Sequence, residues 1–164
     1  MKIRGVTLFE LVIVIVILAI LSISLAVKMI TFNDIKLSSA AGKLAADISY
    51  AQQLAITTQV FHGAYLETAN NQYFVFRDTT STKVKDPYNR ANDLIVNYNT
   101  ATELNGVTIY AVNINSSAGV TFDGAGTPYD ANKNILGSNG TITLKCGTSS
   151  KTVTITANTG KIIW

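Results

Sequence analysis

The sequence predicts an α+β protein, with one long, partly transmembrane N-terminal helix packed on an antiparallel β-sheet head. Three observations carry this reading. Apolar residues run without a break from Leu11 to Leu21. Apolar positions then recur at helical spacing as far as Ala55, with no proline before Pro87. From Val60 onward the pattern changes to short runs rich in Val, Ile, Thr, Tyr and Phe, separated by Gly, Asn and Pro. The chain of 164 residues therefore divides into a short basic segment over 1–5, an apolar half-helix over 6–27, an amphipathic half-helix over 28–59 and a β-rich head over 60–164.

Composition narrows the function classes. The chain is 48% hydrophobic and only 14% charged, against about 25% charged for an ordinary soluble domain. The excess lies in the N-terminal segment, and the rest has the balance of a polar domain. A single cysteine, Cys146, excludes an intrachain disulfide framework and a cysteine-rich zinc site. A single histidine, His62, excludes sites that need several. The net charge of +3 is too small to argue for nucleic acid, and two of the cations, Lys2 and Arg4, precede the apolar run.

Residues 6–27 would span about 33 Å as a helix, enough for the roughly 30 Å hydrocarbon core of a bilayer. Lys2 and Arg4 before the segment favour a cytoplasmic N-terminus, which places the head on the far side. A secretory signal peptide is one alternative, since Ser22-Ile23-Ser24 and Ser24-Leu25-Ala26 offer weak small-residue cleavage patterns. A plain anchor is another, but it leaves Glu10 unexplained. A carboxylate within a spanning segment costs on the order of 2.5–3.5 kcal/mol and calls for a partner or a function. If the chain were cut after Gly5, the new amine of Val6 would supply one.

The stretch Gly5-Val6-Thr7-Leu8-Phe9-Glu10-Leu11-Val12-Ile13-Val14 resembles the class III signal of type IV pilins and type II secretion pseudopilins. The resemblance implies that residues 1–5 are a leader, removed by a prepilin peptidase between Gly5 and Val6, and that Val6 is then N-methylated. It implies that Glu10 pairs with the N-terminal amine of a neighbouring subunit during assembly. In a low-dielectric bundle such a pair is worth far more than at a surface, and either charge left alone is expensive. A bland reading of Glu10 has its carboxylate snorkelling to the headgroups. Val6 departs from the family, which usually has Phe or another large apolar residue there. The implied location is the bacterial inner membrane, single-pass, with a periplasmic head that assembles into a pseudopilus. The implied partners are other pilin or pseudopilin subunits, the peptidase, an inner-membrane assembly platform and membrane lipid.

Beyond the apolar run, Leu37, Ala40, Ala41, Leu44, Ala45, Ile48, Ala51, Leu54 and Ala55 fall on one helix face. Lys36, Lys43, Asp47, Gln52 and Gln53 fall largely on the other. One continuous helix from Val6 to Thr58 is expected. Its alanines would permit close packing on a sheet, and Gly42 is a weak point that costs about 1 kcal/mol against alanine.

In the head, Val60–Glu67, Gln72–Arg77, Leu94–Tyr98, Gly106–Val112, Gly119–Asp123, Thr141–Cys146, Thr152–Ala157 and Lys161–Trp164 read as strands. The segments around Asn70-Asn71, Asp86-Pro87-Tyr88-Asn89, Ser116-Ser117, Gly124–Pro128, Gly137–Gly140 and Asn158–Gly160 read as turns. Ala45–Gln52, Val120–Pro128 and the closing Val153–Ile162 hairpin are similar, loosely, to the H-type minor pseudopilins, a group that includes FimT-like minor pilins.

No catalytic constellation emerges, so an enzyme is not expected. His62 sits between Phe61 and Gly63 as an ordinary strand residue. Gly124-Ala125-Gly126 is a turn with no helix after it, not a phosphate cradle. Asp130-Ala131-Asn132-Lys133-Asn134 spaces oxygen ligands like the start of an EF-hand loop, but Ile135 replaces its glycine and Thr141 its closing glutamate. No cofactor is expected, with calcium in this loop left open because major pseudopilins bind it in a C-terminal loop. Cys146 alternates with Ile142 and Leu144 and reads as a small buried hydrophobe. Lys145, Lys151 and Lys161 are scattered rather than clustered, which argues against the DNA binding of FimT-like pilins. The expected function is a minor pseudopilin of a type II secretion pseudopilus. The alternatives are a minor type IV pilin, in pilus assembly or DNA uptake, and a membrane-anchored extracytoplasmic binding domain.

Overall fold

The computed structural model describes the backbone of residues 7–164 and the side chains of 7–20 and 32–164. Helix α1 runs over Leu8–Thr58, 51 residues, which is about 75 Å. It ends where Gln59 turns left-handed at φ 56°. Ten strands follow: β1 (His62–Glu67), β2 (Gln72–Arg77), β3 (Thr79–Lys83), β4 (Ile95–Asn97), β5 (Val107–Asn113), β6 (Gly119–Phe122), β7 (Pro128–Asp130), β8 (Gly140–Cys146), β9 (Ser149–Ile155) and β10 (Ile162–Ile163). They form a six-stranded sheet in the order β3-β2-β1-β6-β7, with β4 also on β2, and a four-stranded sheet in the order β10-β9-β8-β5. Each strand pairing is antiparallel.

The eight expected strands are all present, with ends shifted by a few residues, and β3 and β7 are additional. Thr79–Lys83 carries no apolar alternation, so no period marks it. It is an exposed edge strand held by pairing to β2 through a register shift at Phe76/Arg77. Pro128 was expected only in a turn. It opens β7, an edge strand paired to β6, where the missing N–H disturbs no ladder.

The core lies between the second half of α1 and both sheets. Leu37, Ala40, Ala41, Leu44, Ala45, Ile48, Ala51 and Ala55 are buried. All but Ala51 share one cluster with Ala64, Leu66, Tyr73, Val120 and Phe122 of the larger sheet and Ile142, Leu144, Val153 and Ile155 of the smaller one, while Ala51 packs with Val75 and Leu94. The alternation of β8 is complete: Ile142, Leu144 and Cys146 are buried, while Thr141, Thr143 and Lys145 face outward.

The polar side of the helix is less detached than its pattern suggests. Asp47 is half-buried at the margin, where its Oδ2 accepts from the Tyr73 hydroxyl at 2.7 Å and pairs with Lys43 at 3.2 Å. Lys36 donates to the Asn105 carbonyl at 3.1 Å, and Gln52 donates to the Gly126 carbonyl at 2.9 Å. Gly42 also has a structural reason. A Cβ there would lie 3.1 Å from the Trp164 ring, which covers the helix at that point. The helix-propensity loss at Gly42 is therefore offset by indole packing, with Lys151 Nζ 4.9 Å from the ring centroid on β9.

Two checks follow from the Asp47 contact. Asp47→Ala leaves the buried Tyr73 hydroxyl without its acceptor, so a loss of about 2 kcal/mol is expected. The same change in a Tyr73→Phe background should cost clearly less, as measured by denaturant unfolding of the detergent-solubilised chain; equal costs would remove the bond from the account. The second check is alkaline. Burial pushes the hydroxyl pKa of both Tyr73 and Tyr98 above the ordinary tyrosine value, and the nearby Asp47 charge adds to it. The folded state thus holds these protons more tightly than the unfolded chain. Stability is complete below about pH 10 and falls as pH rises past it, by up to about 1.4 kcal/mol per unit for each ring. Tyr73→Phe should make that fall shallower.

Candidate assembly site

The helix begins with a cap written in its own sequence. Thr7, in an extended conformation, accepts through Oγ1 from the Glu10 amide at 3.3 Å, and its carbonyl accepts from the Leu11 amide at 3.2 Å. The Thr-x-x-Glu spacing is that of a capping box and was legible in the sequence, although only Glu10 was singled out there. Glu10 lies in the first helical turn and is exposed. A carboxylate at that end is favoured by the helix dipole. Gly5 and Val6 lie outside the described residues.

What surrounds Glu10 is apolar on every side of the helix. Leu8, Phe9, Leu11, Val12, Ile13, Val14, Ile15, Val16, Ile17, Leu18 and Ile20 are 42–83% exposed. A helix apolar all round belongs inside something larger than its own domain. Each such side chain gains about 1.5–3 kcal/mol on full burial, so the driving force for covering this rod is large. Among the described residues no helix is long and apolar enough to cross a membrane.

The other candidate residues of the sequence are engaged locally. His62 is buried, and its Nδ1–H donates to the Val60 carbonyl at 2.8 Å. In the Gly124 turn, Asp123 Oδ1 accepts from the amides of Ala125 at 2.9 Å and Thr127 at 2.8 Å. Those amides hold the turn together rather than facing a ligand. Asp130 is buried, with Oδ1 accepting from the Asn132 and Asn134 amides at 2.8 and 2.9 Å. Among the described residues, no group of three or more His, Cys, Asp or Glu side chains is placed to share a metal ion. Cys146 is buried with Sγ 3.5 Å from Asn33 Oδ1. Lys145 lies over the Tyr110 ring at 3.2 Å, whereas Lys151 lies over Trp164. Their strand partners, Ser150 for Lys145 and Leu144 for Lys151, put the two cations on opposite faces of the sheet.

Comparisons with known proteins agree with this arrangement. The family described as type II transport protein GspH matches residues 40–160, and the prokaryotic N-terminal methylation motif matches residues 1–26. No curated protein gives a significant match. Among solved structures, the minor pseudopilin EpsH from the type 2 secretion system of Vibrio cholerae superposes with a TM-score of 0.55 at 10% identity, covering 78% of this chain and 94% of that one. The type IV minor pilin FimU of Pseudomonas aeruginosa superposes in one crystal form with a TM-score of 0.52 at 16% identity, covering 77% of this chain and 90% of that one. At such identities the two likenesses bear on the fold alone, a long helix packed on antiparallel sheets. The match over residues 40–160 takes in the helix–sheet core and nearly all of the head, and the chain belongs to the type II transport protein GspH family.

Proposed function

We propose that the chain is a minor pseudopilin: a non-enzymatic subunit that enters a short filament of a type II secretion system and assists its assembly. One observation supports this above the others. The apolar stretch Leu8–Ile20, which the head leaves uncovered, carries a single carboxylate, Glu10, four residues after Val6 of a Gly5-Val6 junction. In this reading the segment from Val6 to Val27 first lies in the inner membrane, with the head on the periplasmic side. A prepilin peptidase removes residues 1–5, and the amine of Val6 is methylated. The assembly platform then moves the helix from lipid into a bundle of like helices. Both environments are apolar, so the transfer changes little hydrophobic energy, and the pairing of Glu10 with a neighbouring amine sets axial register. A subunit in the wrong register leaves two charges unpaired in a medium where each is expensive.

Adhesion or DNA uptake by a minor type IV pilin would use the same helix and the same processing. Deletion separates the two: loss of protein export with surface pili intact supports the secretion role, and the reverse supports the pilus.

Processing is checked by intact mass and N-terminal sequencing of the chain purified from its own membranes, where a methylated Val6 start is expected. Gly5→Val should leave the leader attached, and maturation of that variant to the same mass would falsify the cleavage reading. Glu10→Ala should insert and be cut normally, yet its recovery in sheared filaments should drop about tenfold or more. Recovery at the level of the unaltered chain would remove Glu10 from assembly.

A further inference from the structure

Among the described residues, the margins of the two sheets are β3, β4 and β7 in the larger and β5 and β10 in the smaller. An edge strand offers free amides and carbonyls to any strand that approaches, so each edge needs a reason to stay unpaired. For all but β5 the reason lies in the strand itself. β4 and β7 are three residues long and β10 is two, and β7 opens with Pro128. β3 is a run of polar residues, mostly exposed, with a register shift against β2. β5 is different. It is seven residues long and holds no charge, proline or glycine, and buried Val107 and Ile109 alternate with exposed Thr108 and Tyr110. Such a strand pairs readily with another chain. Its ladder with β8 shifts register only past Ile109, so the bulge leaves the first three residues regular.

What closes this stretch is a side chain from the other half of the head. Asn71, in the turn between β1 and β2, is 8% exposed and stands at φ 51°. Its Oδ1 accepts from the Ile109 amide at 2.9 Å, and its Nδ2 donates to the Val107 carbonyl at 2.8 Å. Nδ2 also donates to Asn99 Oδ1 at 2.8 Å. The Val107 carbonyl and the Ile109 amide flank Thr108. They are the two groups of β5 that an antiparallel partner would bond if it set a residue opposite Thr108. A carboxamide carries the donor and the acceptor of a peptide group, so Asn71 stands in for a piece of an added strand. Its main chain fixes it there. The Asn71 amide donates to the Thr68 carbonyl at 3.2 Å, and its carbonyl accepts from the Tyr98 amide at 3.0 Å. Asparagine meets both demands of the position, because it tolerates a left-handed backbone and supplies the carboxamide. Aspartate would set a second acceptor against the Val107 carbonyl. Glycine would keep the backbone and leave the edge open.

We propose that Asn71 is an edge guard, whose carboxamide keeps β5 of one copy of this chain from pairing with β5 of a second. Two copies present the same edge, and a two-fold axis through Thr108 would give each the same pair of bonds. Copies gathered by the bare stretch Leu8–Ile20 meet at high local concentration, where an open edge does most harm. The test uses the full chain in detergent with Thr108→Cys as reporter, because residue 108 would meet its own copy across that axis at a spacing a disulfide can bridge. Asn71→Gly should raise the yield of the 108–108 disulfide dimer at least about tenfold, since two hydrogen bonds no longer compete for the edge. A reporter at Tyr88→Cys, in the β3–β4 loop and 97% exposed, should show no such rise. Asp47→Ala, which weakens the head at Tyr73 instead, should leave the 108 yield unchanged. An unchanged yield at 108 in Asn71→Gly, or an equal rise at 88 or in Asp47→Ala, would overturn the guard. A measurement on the unaltered chain decides the matter if Asn71→Gly does not fold. There the Ile109 amide should resist hydrogen exchange as well as the β5 amides bonded to β8, and exchange at the rate of an open edge would equally overturn the guard.

Discussion

A strip of small side chains along α1 is the contact on which the rest of the head depends. Ala40, Ala41, Ala45 and Ala55, with Leu37, Leu44 and Ile48 between them, bring the helix close enough for two separate sheets to share one core. Neither sheet closes on itself, and the helix packs on strands of both. Larger residues on the strip would drive the sheets apart; polar ones would leave both without an apolar partner. The margins of the strip are then sealed by specific bonds. Asp47 holds Tyr73, Gln52 holds the Gly126 carbonyl and Lys36 holds the Asn105 carbonyl.

The same helix plays opposite roles along its length. Its second half is amphipathic and its apolar side is used up by the head. Its described beginning, Leu8–Ile20, is apolar all round apart from Glu10, and the head leaves it bare. In the proposed assembly this division lets a single element be a folded domain's spine and a filament's building block without the two uses competing. In the proposed assembly it also gives one carboxylate its weight. Among residues selected only for apolar character, Glu10 is the sole described side chain between Leu8 and Ile20 that distinguishes one axial position from another by charge.

Much of this was legible because it is periodic. The apolar run, the alanine spacing and the alternation of Ile142, Leu144 and Cys146 each state which face is buried. Glu10 was legible as a charge out of place. What escaped was whatever depends on residues distant in sequence. Thr79–Lys83 has no pattern of its own and is a strand only because β2 offers an edge. Asp47 reads as a solvent residue until Tyr73 is brought across from the sheet. Gly42 reads as a defect until Trp164 is laid over it.

The contact between Trp164 and Gly42 has a kinetic meaning. Residues so far apart in sequence meet late, because the loop between them must close first. Strand β10 pairs only with β9, at Ile162 and Ile163, and the indole then settles on the helix. While the chain is being synthesised, α1 is complete long before β8, β9 and β10 have emerged. Its alanine strip must wait, uncovered along one side, until nearly the whole head has been delivered. For that interval the nascent molecule is a bare helix with half a domain attached, and the closing of Trp164 over Gly42 marks its end.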